Sequence, residues 1–114
     1  MATDLAEARA RHVARLDSEL PRIVEALKGL GAELVLLFGS YAAGRRDLLT
    51  DLDLIAVMES DLPFVPRLAA VYRRVAPRVA VDILCYTPEE FAEMRHKPFV
   101  REALRTGTVL HGHP

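Results

Sequence analysis

The stretch LFGSYAAGRRDLLTDLDLIAV, residues 37–57, carries the pattern on which the fold prediction depends. An apolar run ends at a Gly39-Ser40 turn, and ten residues later Asp51 and Asp53 stand just before a second apolar run. Alternate residues of a strand face the same side, so the two aspartates are expected to project together. Two adjacent carboxylates repel each other unless a cation lies between them, and the pair therefore indicates a metal site. A solvated pair, with Asp51 capping the turn, is the alternative.

Apolar runs on both sides of this stretch predict a sheet with helices packed on it. The predicted strands are residues 33–38, 53–58, 78–86 and a short last strand at 108–112. The predicted helices between and after them are residues 66–76, a helix starting at Thr87-Pro88-Glu89-Glu90, and residues 98–105. Thr87 has the pattern of an N-cap, with proline at the first helical position and glutamate at the third. Strands and helices alternate, so the fold class is α/β (α+β).

The N-terminal segment, residues 1–30, is predicted to be helical. Asp4 and Glu7 have the spacing of a capping box, and apolar residues recur at helical spacing up to Leu30. Pro21 interrupts the pattern, so the segment is either one kinked helix or two helices with Ser18 capping the second. It carries more apolar surface than an outer helix needs, which suggests a partner surface or a homodimer.

Composition limits the classes of protein to be considered. The 114 residues fit one domain, 51% of them are hydrophobic, and the formal net charge is −1. The lack of a basic excess argues against nucleic acid as the main partner. No apolar run approaches the roughly 18 residues of a membrane span. The single cysteine, Cys85, excludes an internal disulfide and fits a reducing compartment, so a cytoplasmic location is expected.

The Gly39-Ser40 turn is a candidate phosphate site. A short helix is expected to begin there, and a helix N-terminus offers unpaired N–H groups and a partial positive charge. Glycine lets the backbone approach an anion closely, and the Ser40 hydroxyl adds a donor. A tight strand-to-helix turn with Ser40 as its N-cap explains the same residues without a ligand.

Asp82 is the third candidate metal ligand. It lies inside VAVDILC, residues 79–85, where an ionised carboxylate is costly unless it is paired or binds a metal. A buried salt bridge with Arg73 or Arg78 is one explanation. If its strand lies beside the strand of Asp53, the three carboxylates can hold two metal ions about 3.5–4 Å apart.

Taken in order along the chain, these features resemble a known family. A strand leads to Gly39-Ser40, a ten-residue spacer leads to Asp51-x-Asp53 on a second strand, and Asp82 follows on a third. This order resembles the minimal nucleotidyltransferases of the DNA polymerase beta superfamily, from about residue 20 to residue 112. The resemblance implies a nucleotidyltransferase fold, a single domain with a small mixed sheet and helices packed on it. Residues 33–112 would be its catalytic core.

The same resemblance assigns roles to individual residues. Gly39 and Ser40 would hold the β- and γ-phosphates of ATP, and Asp51 and Asp53 would bind two Mg²⁺ ions. Asp82 would share the metal nearer the acceptor and help to deprotonate the attacking hydroxyl.

One position departs from the family pattern. Ala43 stands where family members often have a basic residue. Arg45 and Arg46 are therefore predicted to supply that charge to the triphosphate.

The resemblance also implies a partner. Stand-alone members of the family resemble antitoxins whose partner is a helical RNA-cleaving toxin of the higher-eukaryote-and-prokaryote nucleotide-binding (HEPN) class. Such antitoxins transfer AMP from ATP to a hydroxyl of the toxin, commonly a tyrosine, and release pyrophosphate. Two alternatives remain at this point: a non-catalytic, nucleotide-binding module that acts by complex formation, and a nucleotidyltransferase for a small hydroxylated molecule.

Overall fold

The structure is a computed structural model that describes residues 2–114, with side chains from Asp4 onward. Residue 1 of the predicted domain lies outside the described part. The elements are, in chain order, α1 Ala2–Gly29, β1 Leu34–Phe38, α2 Gly39–Ala42, β2 Leu52–Val57, α3 Phe64–Val75, β3 Val81–Tyr86, α4 Pro88–Met94, α5 Pro98–Thr106 and β4 Thr108–Gly112.

The four strands form one mixed sheet in the order β3-β2-β1-β4. β1 pairs antiparallel with both β2 and β4, whereas β2 and β3 run parallel and are joined through α3. A helix is the usual connection between parallel neighbours, because the chain must return to the same end of the sheet. The predicted α+β class with a small mixed sheet is confirmed.

Helices cover both faces of the sheet. Along β1 and β2 the side chains alternate between two apolar cores, as the period of two requires. One core contains side chains from α1 and α3, among them Leu16, Ile23 and Val71. The other contains Phe91 of α4 with Val100 and Ala103 of α5. Both faces of the central strands are therefore buried, which explains why their sequences are almost wholly apolar.

The N-terminal segment is one helix, so the alternative of two helices is wrong. Pro21 lies inside α1, and the Ser18 hydroxyl donates to the Arg15 carbonyl instead of capping a new helix. The capping-box prediction is also wrong, because α1 begins at Ala2 and Asp4 lies in its first turn. Buried apolar contacts along α1 stabilise the helix across the proline. No helix within residues 2–114 is both long and apolar enough to cross a membrane.

The predicted start of α4 is confirmed in detail. Thr87 accepts a hydrogen bond from the Glu90 backbone N–H, and the Glu90 carboxylate accepts one from the Thr87 N–H. Glu90 also forms a 2.6 Å ion pair with Arg67 of α3, a side chain that is only 4% exposed. Arg67 in turn donates to the Cys85 carbonyl, at the outer edge of β3. One capping motif thus ties α3, α4 and the edge strand together.

Candidate active site

Three carboxylates meet at one end of the sheet. Asp53 of β2 is the register partner of Asp82 of β3, and parallel neighbours in register point to the same face. Asp51 precedes Asp53 by two residues. One ligand oxygen from each of the three carboxyl groups lies within 4.8 Å of the others. The strand of Asp82 therefore lies beside the strand of Asp53, as a cluster of three carboxylates requires.

The electrostatics of this acidic cluster, Asp51, Asp53 and Asp82, are unfavourable without a cation. Partial burial of Asp53, together with the negative charges of its two neighbours, raises the pKa of its carboxyl from 3.8 to about 6. A divalent cation would offset both the desolvation and the repulsion. Because all of the ligand atoms are carboxylate oxygens, the donor set suits a hard cation such as Mg²⁺.

Asp82 is not buried, which corrects one sequence-based expectation. The predicted strand of residues 78–86 placed it in the middle of an apolar segment, but β3 begins only at Val81. Asp82 is thus the second residue of the strand, at the open end of the sheet, and it is exposed. Its carboxylate forms no salt bridge with Arg73 or Arg78, so that explanation is wrong.

The glycine turn lies directly against the acidic cluster. Gly39 has a φ of +78°, and a Cβ added to it would stand 2.2 Å from a carboxylate oxygen of Asp53. Two features therefore favour glycine here: the positive φ, and the neighbouring carboxylate, which leaves no space for a side chain. Ser40 is not an N-cap, because Phe38 occupies that position and α2 has no side-chain cap. The turn brings the backbone at Gly39 next to the carboxylate of Asp53.

Arg45 and Arg46 are exposed and are engaged with other groups. Arg45 donates to the Asp47 carboxylate at 2.6 Å. The Arg46 guanidinium lies over the ring of Tyr41, 3.6 Å from its centroid, and donates to the Tyr41 carbonyl. Neither contact joins these arginines to the acidic cluster, so their role toward a triphosphate stays a prediction.

Two contacts of the site have no signal in the sequence. His12 of α1 binds the carbonyl of Thr50, the residue before Asp51, and Asp17 of α1 binds the hydroxyl of Tyr41 in α2. These pairs are separated by 38 and 24 residues. No local motif marks them, since a histidine on a predicted helix is compatible with many surroundings.

Comparison with known proteins identifies the fold. No family model and no curated protein matches the sequence. Among solved structures, the chain is similar to one in the crystal structure of a toxin-antitoxin MntA-HpeT mutant, with 21% sequence identity and a TM-score of 0.53. The match covers 82% of this chain and 72% of that one. The chain has a nucleotidyltransferase fold.

Proposed function

We propose that this protein is a Mg²⁺-dependent nucleotidyltransferase that transfers AMP from ATP to a hydroxyl group of a protein partner. The observation that carries the proposal is the acidic cluster, with three carboxylates within 4.8 Å and the Gly39 turn pressed against one of them. Residues 33–112 form the catalytic core in this proposal. The fold is shared with a protein from a toxin-antitoxin complex, and this likeness supports the proposal that the chain is an antitoxin with nucleotidyltransferase activity.

The residues of the site divide into two groups by what they offer a substrate. Asp51, Asp53 and Asp82 would hold two Mg²⁺ ions through carboxylate oxygens. Gly39 and Ser40 would hold the β- and γ-phosphates through backbone N–H groups and a hydroxyl. When bound, the ions neutralise charge on the triphosphate and polarise the phosphorus that is attacked. The protein's own contribution is to align the acceptor and the triphosphate.

In this proposal Asp82 receives the acceptor, and its exposed position supports that role. Its carboxylate accepts the proton of the attacking hydroxyl as the oxygen forms a bond to the α-phosphorus. The bond from the α-phosphorus to the bridging oxygen breaks on the opposite side, and pyrophosphate leaves with the electron pair. AMP is left joined to the acceptor through a phosphodiester.

The partner in this proposal is a helical toxin of the HEPN class, modified on a tyrosine in the cytoplasm. The protein would thereby act as the antitoxin of the pair. The toxin-antitoxin nature of the similar complex supports a toxin partner. Transfer to a hydroxyl fits a site whose third carboxylate faces solvent, because a side chain of another protein can reach it.

The test is intact-protein mass spectrometry on the product of the neighbouring gene, after incubation with this protein, ATP and Mg²⁺. Asp53→Asn, which changes the cluster but keeps the shape of the side chain, is the matched control. We expect the partner to gain the mass of one or more AMP units, and no gain with the variant.

Two other outcomes would contradict the proposal in different ways. An unmodified partner that still forms a stable complex with both versions would indicate a non-catalytic module that acts by complex formation. Nucleotide transfer to a small hydroxylated compound, with the partner unmodified, would indicate a small-molecule nucleotidyltransferase. Asp82→Asn distinguishes the proposed transfer from the first of these outcomes. The variant should no longer inhibit the toxin if AMP transfer is the mechanism, and it should still inhibit the toxin if the protein acts by complex formation.

A further inference from the structure

Helix α1 contacts both segments that form the acidic cluster and its glycine turn. Its His12 ring lies 2.7 Å from the Thr50 carbonyl oxygen, measured from Nε2. One and a half turns further along α1, the Asp17 carboxylate accepts a 2.5 Å hydrogen bond from the Tyr41 hydroxyl. The first contact reaches the loop before Asp51, and the second reaches the short helix that begins at Gly39.

His12 contacts the peptide group that joins Thr50 to Asp51. A carbonyl oxygen can only accept, so Nε2 of His12 carries the proton and donates it. The carbonyl of Thr50 and the amide nitrogen of Asp51 belong to one planar unit, so a hydrogen bond to that oxygen restricts the orientation of the whole unit. The Thr50 side chain is itself only 1% exposed.

Within residues 2–114, the other hydrogen bonds of the loop before Asp51, residues 43–50, are all short-range. The Asp47 N–H donates to the Thr50 hydroxyl at 3.0 Å, and the Leu49 N–H donates to the Asp47 carboxylate at 2.8 Å. These bonds shape the turn, but they do not join it to a distant segment of the chain. The bond from His12 is long-range and, together with the burial of Thr50, sets where the loop lies relative to α1.

The Asp17 contact holds the other side of the site. Partial burial and the Asp17 carboxylate raise the pKa of Tyr41, so its hydroxyl keeps its proton and donates it. The Arg46 guanidinium lies over the ring of Tyr41. Tyr41 follows Ser40 directly, and α2 therefore has a fixed position against α1.

We propose that His12 and Asp17 are positioning residues, which set the separation between the glycine turn and the Asp51 carboxylate by anchoring both segments to α1. This inference rests on the proposed function, because the geometry that they maintain matters only if the cluster binds a metal. Residues that orient metal ligands from outside typically change metal affinity or activity by about 10–100-fold when they are mutated.

The test measures binding of Mn²⁺, a paramagnetic substitute for Mg²⁺, to the full chain by electron paramagnetic resonance. His12→Leu removes the donor, whereas His12→Gln retains an amide N–H that can reach the Thr50 carbonyl. We expect His12→Leu to weaken Mn²⁺ binding by about 10-fold and His12→Gln to bind within a few-fold of the native chain.

A control variant separates positioning from general stability. Leu27→Ala empties a fully buried position near the other end of α1, far along the helix from His12, and should lower the melting temperature by leaving a cavity in the core. Measured well below its melting temperature, it should bind Mn²⁺ as the native chain does. Circular dichroism and melting temperatures of all variants establish that each is folded.

The outcomes distinguish this inference from the proposed function. If His12→Leu binds Mn²⁺ as tightly as the native chain, or if Leu27→Ala weakens binding equally, the positioning role is refuted while the metal site stands. If the native chain binds no Mn²⁺, the metal site itself is refuted, and the positioning role with it. A second pair of variants tests the contact with Tyr41. Asp17→Leu removes the acceptor and Asp17→Asn retains one, and ATP binding in the presence of Mn²⁺ is measured for both.

Discussion

Replacing Asp53 by asparagine should stabilise the metal-free protein while removing its metal site. The rise in the pKa of Asp53, from 3.8 to about 6, measures how strongly its surroundings oppose the charged form. Two pH units correspond to about 3 kcal/mol at 1.4 kcal/mol per unit. Partial exposure and movement of the neighbouring carboxylates reduce this to about 1–2 kcal/mol. For a domain of this size, the melting temperature should rise by about 4–8 °C.

The pH dependence has a definite sign. Because the pKa of Asp53 is higher in the folded than in the unfolded protein, the folded native chain loses stability as pH rises from about 4 to about 6. The asparagine variant has no such loss. Its advantage should therefore be near zero below about pH 4, grow through that interval and stay constant above about pH 7.

The assay is thermal unfolding by circular dichroism in EDTA, across this pH range, and again in excess Mg²⁺. Mg²⁺ should raise the melting temperature of the native chain but hardly that of Asp53→Asn, since a ligand stabilises only the folded state that binds it. Asp61→Asn, at an exposed position after β2, serves as a control: it retains the acidic cluster, so its melting temperature should follow that of the native chain across the pH range. A variant that is less stable than the native chain at pH 7 in EDTA would refute the argument, because it would mean that the carboxylates do not repel in solution.

Three further changes test the fold at the glycine turn and at the far end of β3. Gly39→Ala should cost about 2 kcal/mol or more and weaken Mn²⁺ binding, because the φ of Gly39 is +78° and a Cβ would collide with the Asp53 carboxylate. The control Gly29→Ala, with open space around the added Cβ, should be neutral or stabilising, and equal losses of stability for both variants in chemical denaturation would contradict this prediction. Arg67→Leu should cost about 3 kcal/mol in urea unfolding by removing bonds to two carbonyls and to Glu90, and unchanged stability would show that the network contributes nothing net. Thr87→Ala should cost about 1 kcal/mol through the lost capping box, and a loss of Mn²⁺ binding would be unexpected for that variant.

Local patterns in the sequence determined most of the elements and the chemistry of the candidate ligands. The apolar runs at β1 and β2, the capping box at Thr87 and the alternation that pairs Asp51 with Asp53 are properties of neighbouring residues. Such patterns depend on backbone geometry with periods of 2 and 3.6 residues, so a single chain displays them directly. The predicted start of β3 was wrong, because the apolar run that begins at residue 79 extends beyond the strand, which starts only at Val81.

Only the tertiary structure decided which of these residues meet. Asp82 joins Asp53 because β3 lies parallel to β2 in a register that places the two opposite each other. The contact of His12 with the carbonyl before Asp51 likewise depends on how α1 crosses the sheet, over 38 residues of chain. Strand order, register and helix placement result from packing between distant segments, and the sequence around any one residue does not determine them.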